Sequence, residues 1–181
     1  RTVDYGPFKV LEDDGLPVRK AAYACLGAMV ESASELLAPF GSGPLFEVVV
    51  GGMSDAPSDF PDVPMLCHQI VAQLVAMAPL VVLAHAPLIA AKLSETLEGK
   101  MPDATKDPER AERRVQIVRS AVRCVDALAS MEGAGEDRAV GDLCGVALRV
   151  PHVREMAEAE GLRGVVKRGA ASSAPAGAAS S

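Results

Sequence analysis

Apolar residues recur every three or four positions along most of this 181-residue chain, which is the spacing of one buried helix face. The first run, from Val18 to Ala33, predicts a buried stripe on the first helix, and Asp62 is placed to cap the third. The clearest start signal is Asp107-Pro108-Glu109, which combines a capping side chain, a proline for the first turn and a carboxylate near the helix dipole. The pattern predicts helices over 17–37, 45–50, 63–77, 87–97, 108–130, 137–150 and 151–160, with a separate helical turn over 80–84.

The predicted helices form pairs that recur along the chain. The pairs begin near Pro17, Val63 and Pro108, about 45 residues apart, and this period is typical of HEAT-type repeats. Because aromatic residues make up only 3% of the chain, the core between the helices must be aliphatic. The sequence therefore predicts an all-α fold, a HEAT-type α-solenoid fragment that occupies residues 17–160.

The two ends of the chain differ from this helical region. Alternating apolar residues flank the Gly6-Pro7 pair, which predicts a short β-hairpin or extended loop that projects over residues 1–16. An isolated hairpin is marginally stable in water and needs a surface to pack on. Residues 161–181 are mostly Gly, Ala, Ser and Pro, a composition that buries too little apolar area to offset its ordering entropy and predicts a flexible tail.

The charge of the chain narrows the classes of partner. Its formal net charge is −6 and its pI is about 5.1, whereas a nucleic-acid-binding domain normally carries a basic stripe and a high pI. A basic partner is the more natural expectation. The longest apolar stretch, residues 70–93, is interrupted by polar residues and two prolines, which argues against a membrane span.

The titratable residues do not form a recognisable catalytic or metal-binding pattern. Cys25, Cys67, Cys124 and Cys144 lie within helical patterns without close pairing, so they are expected to be small core residues. His68 follows Cys67 directly, and neighbouring residues on a helix point about 100° apart, so they cannot act together as nucleophile and base. No catalytic, cofactor-binding or metal site is predicted, although a Cys and a His from distant positions could still meet in space.

Five arginines lie on the helix predicted over residues 108–130, several of them three or four positions apart. They are Arg110, Arg113, Arg114, Arg119 and Arg123. The favoured interpretation is a solvated face with interleaved carboxylates, and the alternative is a contact with a partner.

The first 25 residues carry a resemblance to a known family. The strings GPFK at 6–9, DDGL at 13–16 and RKAA at 19–22, followed by Cys25, resemble the C-terminal part of the cullin-associated, neddylation-dissociated proteins, also known as a TATA-binding-protein-interacting family. Weaker likeness continues through Met65-Leu66-Cys67 and Arg119-Ser120-Ala121, so that it covers about residues 2–160. The chain also begins at Arg1 within a patterned segment, which is expected of a piece of a longer protein.

The resemblance implies a function without bond chemistry. Members of the family are helical-repeat proteins that wrap around cullins and their RING subunits, grip the cullin N-terminal region with late repeats and compete there with the substrate adaptor through a projecting hairpin. It implies an exchange factor for cullin-RING ubiquitin ligases in the cytoplasm and nucleus, with no cofactor, nucleic acid or membrane. The residues that this likeness and their position mark as partner contacts are Tyr5, Gly6, Pro7, Phe8, Lys9, Asp13, Asp14, Gly15, Leu16, Arg19 and Lys20.

Two other interpretations stay open at this stage. The segment over residues 5–16 could be a structural cap that packs on a preceding repeat. The whole chain could equally be a general helical-repeat scaffold or a transport-type adaptor without specificity for cullins.

Overall fold

The computed structural model describes residues 2–6, 8–32, 42–55 and 60–172. Within these ranges the chain forms a two-stranded hairpin followed by eight helices. The elements are β1 (Thr2–Tyr5), β2 (Phe8–Leu11), α1 (Leu16–Ser32), α2 (Ser42–Gly52), α3 (Asp62–Met77), α4 (Pro79–Glu98), α5 (Pro108–Ser130), α6 (Arg138–Arg149), α7 (Pro151–Ala159) and α8 (Arg163–Ser172).

The helices stack as two layers, which is the arrangement of a HEAT-like solenoid. In one layer α1 packs on α3, α3 on α5 and α5 on α7; in the other α2 packs on α4, α4 on α6 and α6 on α8. Each odd-numbered helix and the following even-numbered helix form one repeat. The predicted fold class is therefore confirmed, including the hairpin.

An aliphatic core lies between the two layers. Its largest fully buried side chains include Phe46, Ile70, Ile89, Leu93, Leu97, Ile117, Leu128 and Leu143. In the described part of the chain, α4 is the one helix whose length and composition would let it cross a membrane. It packs against α2, α3, α5 and α6, and seven of its residues are buried.

The start signals of two helices give different outcomes. The Asp107 carboxylate accepts a hydrogen bond from the Arg110 amide at 2.9 Å and caps α5 as predicted. Asp62 does not cap α3, because the helix begins at Asp62 itself, one residue before the predicted start, and Pro61 occupies the N-cap position. The Asp62 carboxylate instead pairs with the Lys20 ammonium at 2.7 Å.

The division of the fourth helix at Pro87 is wrong. The helix runs without a break from Pro79 to Glu98, and Pro87 lies inside it with its ring on the exposed side. A proline inside a helix costs about 3 kcal/mol because it removes a hydrogen bond and crowds the preceding turn. The apolar spacing continues through the proline from Val82 to Ile89, and burial of both residues outweighs that cost.

The predicted buried stripe on α1 is largely exposed. Val30 is the one residue of this helix that is fully buried, and Val18 is 71% exposed. Residue Cys25, expected in the core, is also exposed. The cause is that α1 lies at the end of its layer, with α3 as its main helix neighbour among the described residues. Residues 33–37 of the predicted helix lie outside the described part.

The flexible tail predicted from residue 161 needs correction, because residues 163–172 form α8. This helix packs against α6 and α5, and Val165 is fully buried. The Val165 amide donates to the Asp126 carboxylate at 3.1 Å, and Arg168 donates to the Ala129 carbonyl. Residues 173–181 lie outside the described part, and the boundaries at 16 and 160 stay predictions.

Candidate partner-binding surface

The hairpin immediately precedes α1 in the chain. Its strands pair antiparallel, with Tyr5 opposite Phe8 and Thr2 opposite Leu11, and the connecting turn uses Gly6 at φ +71°, a conformation that suits glycine. In the described residues no helix makes an extended contact with the two strands. A two-stranded hairpin without such support gains little stability from its own pairing.

For the predicted contact residues that lie in the strands, the structure describes the backbone. Tyr5, Phe8 and Lys9 lie in the strands, on either side of the turn, while their side chains and the whole of Pro7 lie outside the described part. Their assignment as partner contacts stays a prediction.

Arg19 holds the base of the hairpin to the body of the solenoid. One of its terminal nitrogens lies 2.5 Å from an Asp13 carboxylate oxygen, the other 3.3 Å from the second, so this contact is bidentate. The Arg19 Nε lies 2.6 Å from the carboxylate of Asp55, in the loop after α2. One guanidinium thus joins the segment after the hairpin to the loop that follows α2, a geometry that arginine alone provides.

The Asp13 side chain also organises the start of α1. It accepts a hydrogen bond from the Gly15 amide at 3.1 Å, and the Asp13 carbonyl accepts one from the Leu16 amide at 3.1 Å. The Arg19 guanidinium lowers the pKa of the Asp13 carboxyl below its usual range, and both carboxylates raise the pKa of Arg19. Asp13, Arg19 and Asp55 are named the hairpin clamp below.

The clamp changes the interpretation of several predicted contact residues. Arg19 and Asp13 are engaged with each other, and Lys20 with Asp62. Asp14 is exposed at the same base, and Gly15 and Leu16 belong to the turn into α1. The structure brings these residues together at one place, where their visible contacts are internal to the chain.

A groove between α3 and α5 was not predicted from the sequence. Its volume is about 640 Å³, and it has an apolar wall from Met65, Leu66 and Ala72. Lys20 lies at its rim, together with Arg119 and Arg123. Both of these arginines pair with Glu160, at 2.8 and 2.7 Å.

The buried thiols are poor nucleophiles. Burial raises the pKa of Cys67 to about 12, that of Cys124 to about 12 and that of Cys144 to about 11. Because the thiolate is the reactive form, these three side chains stay protonated near neutral pH. Within the ranges that the structure describes, no three His, Cys, Asp or Glu side chains converge as metal ligands.

Comparison with known families gives this surface its context. A sequence model of the family described as TATA-binding protein interacting (TIP20) matches residues 1–146. The chain belongs to this family. The match includes the hairpin, the clamp and helices α1 to α5, and it confirms the resemblance drawn from the first 25 residues.

Curated relatives of this chain carry names that refer to cullins. It is 34% identical over 134 residues to cullin-associated NEDD8-dissociated protein 1 of Arabidopsis thaliana, a match that covers 74% of this chain and 10% of the relative. It is 32% identical over 142 residues to cullin-associated NEDD8-dissociated protein 2 of Rattus norvegicus, a match that covers 78% of this chain and 10% of the relative. The chain spans about a tenth of the length of the relatives it matches. No solved structure gives a significant match.

The role of the clamp can be tested by removing the Arg19 guanidinium. Replacing Arg19 with glutamine is expected to speed amide hydrogen exchange at Gly15 and Leu16 by roughly tenfold, because a charge-assisted bond that orders this turn is lost. Exchange at α5 and α6 should not change. The matched control is Arg138→Gln, since Arg138 is 94% exposed and pairs weakly with Asp142 within its own helix. Equal protection of Gly15 in both variants would show that Arg19 does not order the turn.

Proposed function

We propose that this chain is the hairpin-bearing part of a non-enzymatic exchange factor for cullin-RING ubiquitin ligases. It binds the N-terminal region of a cullin, whose RING subunit contacts other repeats of the longer protein, and it competes there with the substrate adaptor. The cullin-associated names of its relatives support this partner. The protein acts in the cytoplasm and the nucleus, where these ligases work.

The observation that carries the proposal is the hairpin before α1, whose strands make no extended contact with a described helix. The clamp fixes the base of the hairpin, while no described helix lies alongside its strands. A segment that is anchored but unsupported is well suited to insert into a pocket on a partner, because little ordering of its base is needed on binding. Phe8, next to the turn, is the natural aromatic anchor.

Exchange follows from mutual exclusion. The hairpin and the adaptor occupy overlapping sites on the cullin, so each lowers the affinity of the other and speeds its release from a transient ternary complex. This coupling needs differential binding and no bond chemistry. The protonated state of Cys67, Cys124 and Cys144 is consistent with that conclusion.

A binding experiment tests the proposal. The chain is mixed with a recombinant cullin N-terminal region, and the dissociation constant is measured by isothermal titration calorimetry with and without the adaptor. Adaptor should weaken binding of the unaltered chain. The Phe8→Ala, Lys9→Glu double variant should bind about 30-fold more weakly, which is the usual cost of truncating an aromatic anchor at an interface.

The matched control carries the same kinds of change away from the hairpin. Leu88 on α4 is 52% exposed and Lys106 lies in the linker after it, so Leu88→Ala, Lys106→Glu should leave the affinity within about twofold. Equal affinity of the hairpin variant and the unaltered chain would exclude the hairpin contact. Failure of the unaltered chain to bind any cullin would exclude the proposed partner.

One observation favours a second function, a general helical-repeat scaffold. Val18 is 71% exposed in the first turn of α1, beside the base of the hairpin. An exposed aliphatic residue at a solenoid end is what a stacking repeat would cover, and the hairpin would then pack on that repeat. In that case Val18→Ser would alter assembly with neighbouring repeats and leave cullin affinity unchanged.

A further inference from the structure

The groove between α3 and α5 carries cationic side chains that are only partly balanced. Arg119 Nε lies 2.8 Å from one oxygen of Glu160, and Arg123 Nε lies 2.7 Å from the other. Two guanidinium groups therefore share one carboxylate. Their side chains remain 47% and 63% exposed, whereas that of Glu160 is 19% exposed. The rim of the groove presents arginine donors to the solvent.

The groove also has apolar lining residues, so it suits a ligand that is both charged and apolar. Met65, Leu66 and Ala72 form an apolar wall within its volume of about 640 Å³. His68 also lines it, is 1% exposed and makes one hydrogen-bond contact, from Nδ1 to the Ser120 hydroxyl at 3.2 Å. Among the described atoms, none lies within hydrogen-bond distance of the buried His68 Nε2.

The groove reaches the first turns of α1. Lys20 of that helix lies at its rim and pairs with Asp62 at the start of α3. A partner segment that contacts the start of α1 can therefore continue along the groove towards Arg119 and Arg123. Since the chain as a whole carries a net charge of −6, an acidic segment would be repelled by most of the surface and accepted here.

We propose that this groove binds an acidic segment of the protein partner, with a partner carboxylate on Arg119 and Arg123 and a partner aliphatic side chain against Met65 and Leu66. This inference rests on the proposed function, because the partner is the cullin that the hairpin engages. Arginine suits this role since its planar fork binds carboxylates in bidentate geometry. The groove extends the hairpin contact and fixes the direction in which the partner lies.

Charge reversal tests the groove separately from the hairpin. The double variant Arg119→Glu, Arg123→Glu is expected to bind the cullin N-terminal region about 30-fold more weakly, and the deficit should shrink in about 0.5 M salt. The exposed-surface control is Arg138→Glu, which should bind within twofold of the unaltered chain. If the groove variant also binds within twofold while Phe8→Ala binds weakly, the groove proposal is overturned and the hairpin proposal stands.

Glu160→Gln separates binding from a purely structural role of the arginines. This variant breaks the same two ion pairs but leaves both guanidinium groups in place, so it should bind the partner at least as tightly as the unaltered chain. If Arg119 and Arg123 matter only because they tie α5 to the end of α7, Glu160→Gln would weaken binding as much as charge reversal does. That result would overturn the proposal.

A synthetic probe decides the groove proposal even if no cullin binds. A fluorescein-labelled peptide of alternating glutamate and leucine is titrated with the chain, and fluorescence anisotropy is compared with that of a lysine-leucine peptide. The acidic peptide should bind the unaltered chain and Glu160→Gln, and should lose at least tenfold in affinity on Arg119→Glu, Arg123→Glu. Equal binding of the acidic peptide to all three proteins, or preference for the basic peptide, would overturn the groove proposal.

Discussion

Replacement of Arg114 with alanine is expected to lower the free energy of unfolding by about 3 kcal/mol. Arg114 is 7% exposed, and its Nη2 donates to the carbonyls of Thr96 and Gly99, the latter at 2.8 Å. These carbonyls lie at the C-terminal end of α4, where the last turn leaves acceptors without helical partners. A buried acceptor left without its donor costs about 1 to 3 kcal/mol, and the cation also favours a helix C-terminus.

The structure around Arg114 leaves little room for compensation. Burial lowers its pKa, and the guanidinium passes so close to Gly99 that a β-carbon there would displace it. Urea unfolding followed by circular dichroism measures the loss. Arg110→Ala, on the exposed side of the first turn of the same helix, is the matched control and should change the free energy by less than about 0.5 kcal/mol. A loss under about 1 kcal/mol for Arg114→Ala would contradict this role.

Acidification from pH 6.5 to pH 4 is expected to remove about 3 kcal/mol of stability through His68 alone. Burial lowers the pKa of His68 to about 4, whereas its pKa in the unfolded chain is about 6.5. Between these values the unfolded state binds a proton that the folded state excludes, so the unfolded state gains stability as the pH falls. The stability that neutral His68 permits is fully present above pH 6.5 and is lost as the pH falls towards 4.

The contribution of His68 is isolated by subtraction. The free energy of unfolding is measured across this pH range for the unaltered chain and for His68→Leu, which keeps a side chain of similar volume at a buried position. Carboxylates titrate in both proteins and cancel in the difference. The difference should change in favour of His68→Leu by about 3 kcal/mol between pH 6.5 and pH 4. A difference that does not change with pH would show that His68 takes up its proton equally well in the folded and the unfolded chain.

Local signals in the sequence predicted the framework of the fold. The hairpin around Gly6, the capped start of α5 at Asp107 and the stop before Pro79 depend on neighbouring residues, so they can be recognised in the chain alone. The 45-residue recurrence of helix pairs predicted the solenoid for the same reason.

The features of the fold that the sequence did not predict depend on contacts between distant residues. Pro87 lies inside α4 because burial on both sides of it outweighs its cost, and Arg114 is buried because two carbonyls from another helix receive it. The helix after residue 162 looked too poor in large side chains to fold. It nevertheless packs through Val165 and through a close approach at Gly169, where a β-carbon would lie 3.0 Å from the Cys144 carbonyl oxygen.

The assignment of the candidate site stays a prediction, and its internal contacts needed the folded chain. The strings from Gly6 to Lys20 do not show that Arg19 holds Asp13 and Asp55 together. That bridge joins positions 36 residues apart. A signal for the groove did exist, because Arg119 and Arg123 lie four positions apart on one helix face, yet their pairing with Glu160 needed the folded chain.

Hydrogen exchange over residues 2–11 tests the central claim most directly, because it reports on the hairpin itself. Exchange is compared for the chain alone, with a cullin N-terminal region, and with that region already occupied by its substrate adaptor. The account predicts fast exchange in the free hairpin, strong protection with the cullin and loss of that protection when the adaptor is present. Hairpin amides that are equally protected in all three samples would contradict it.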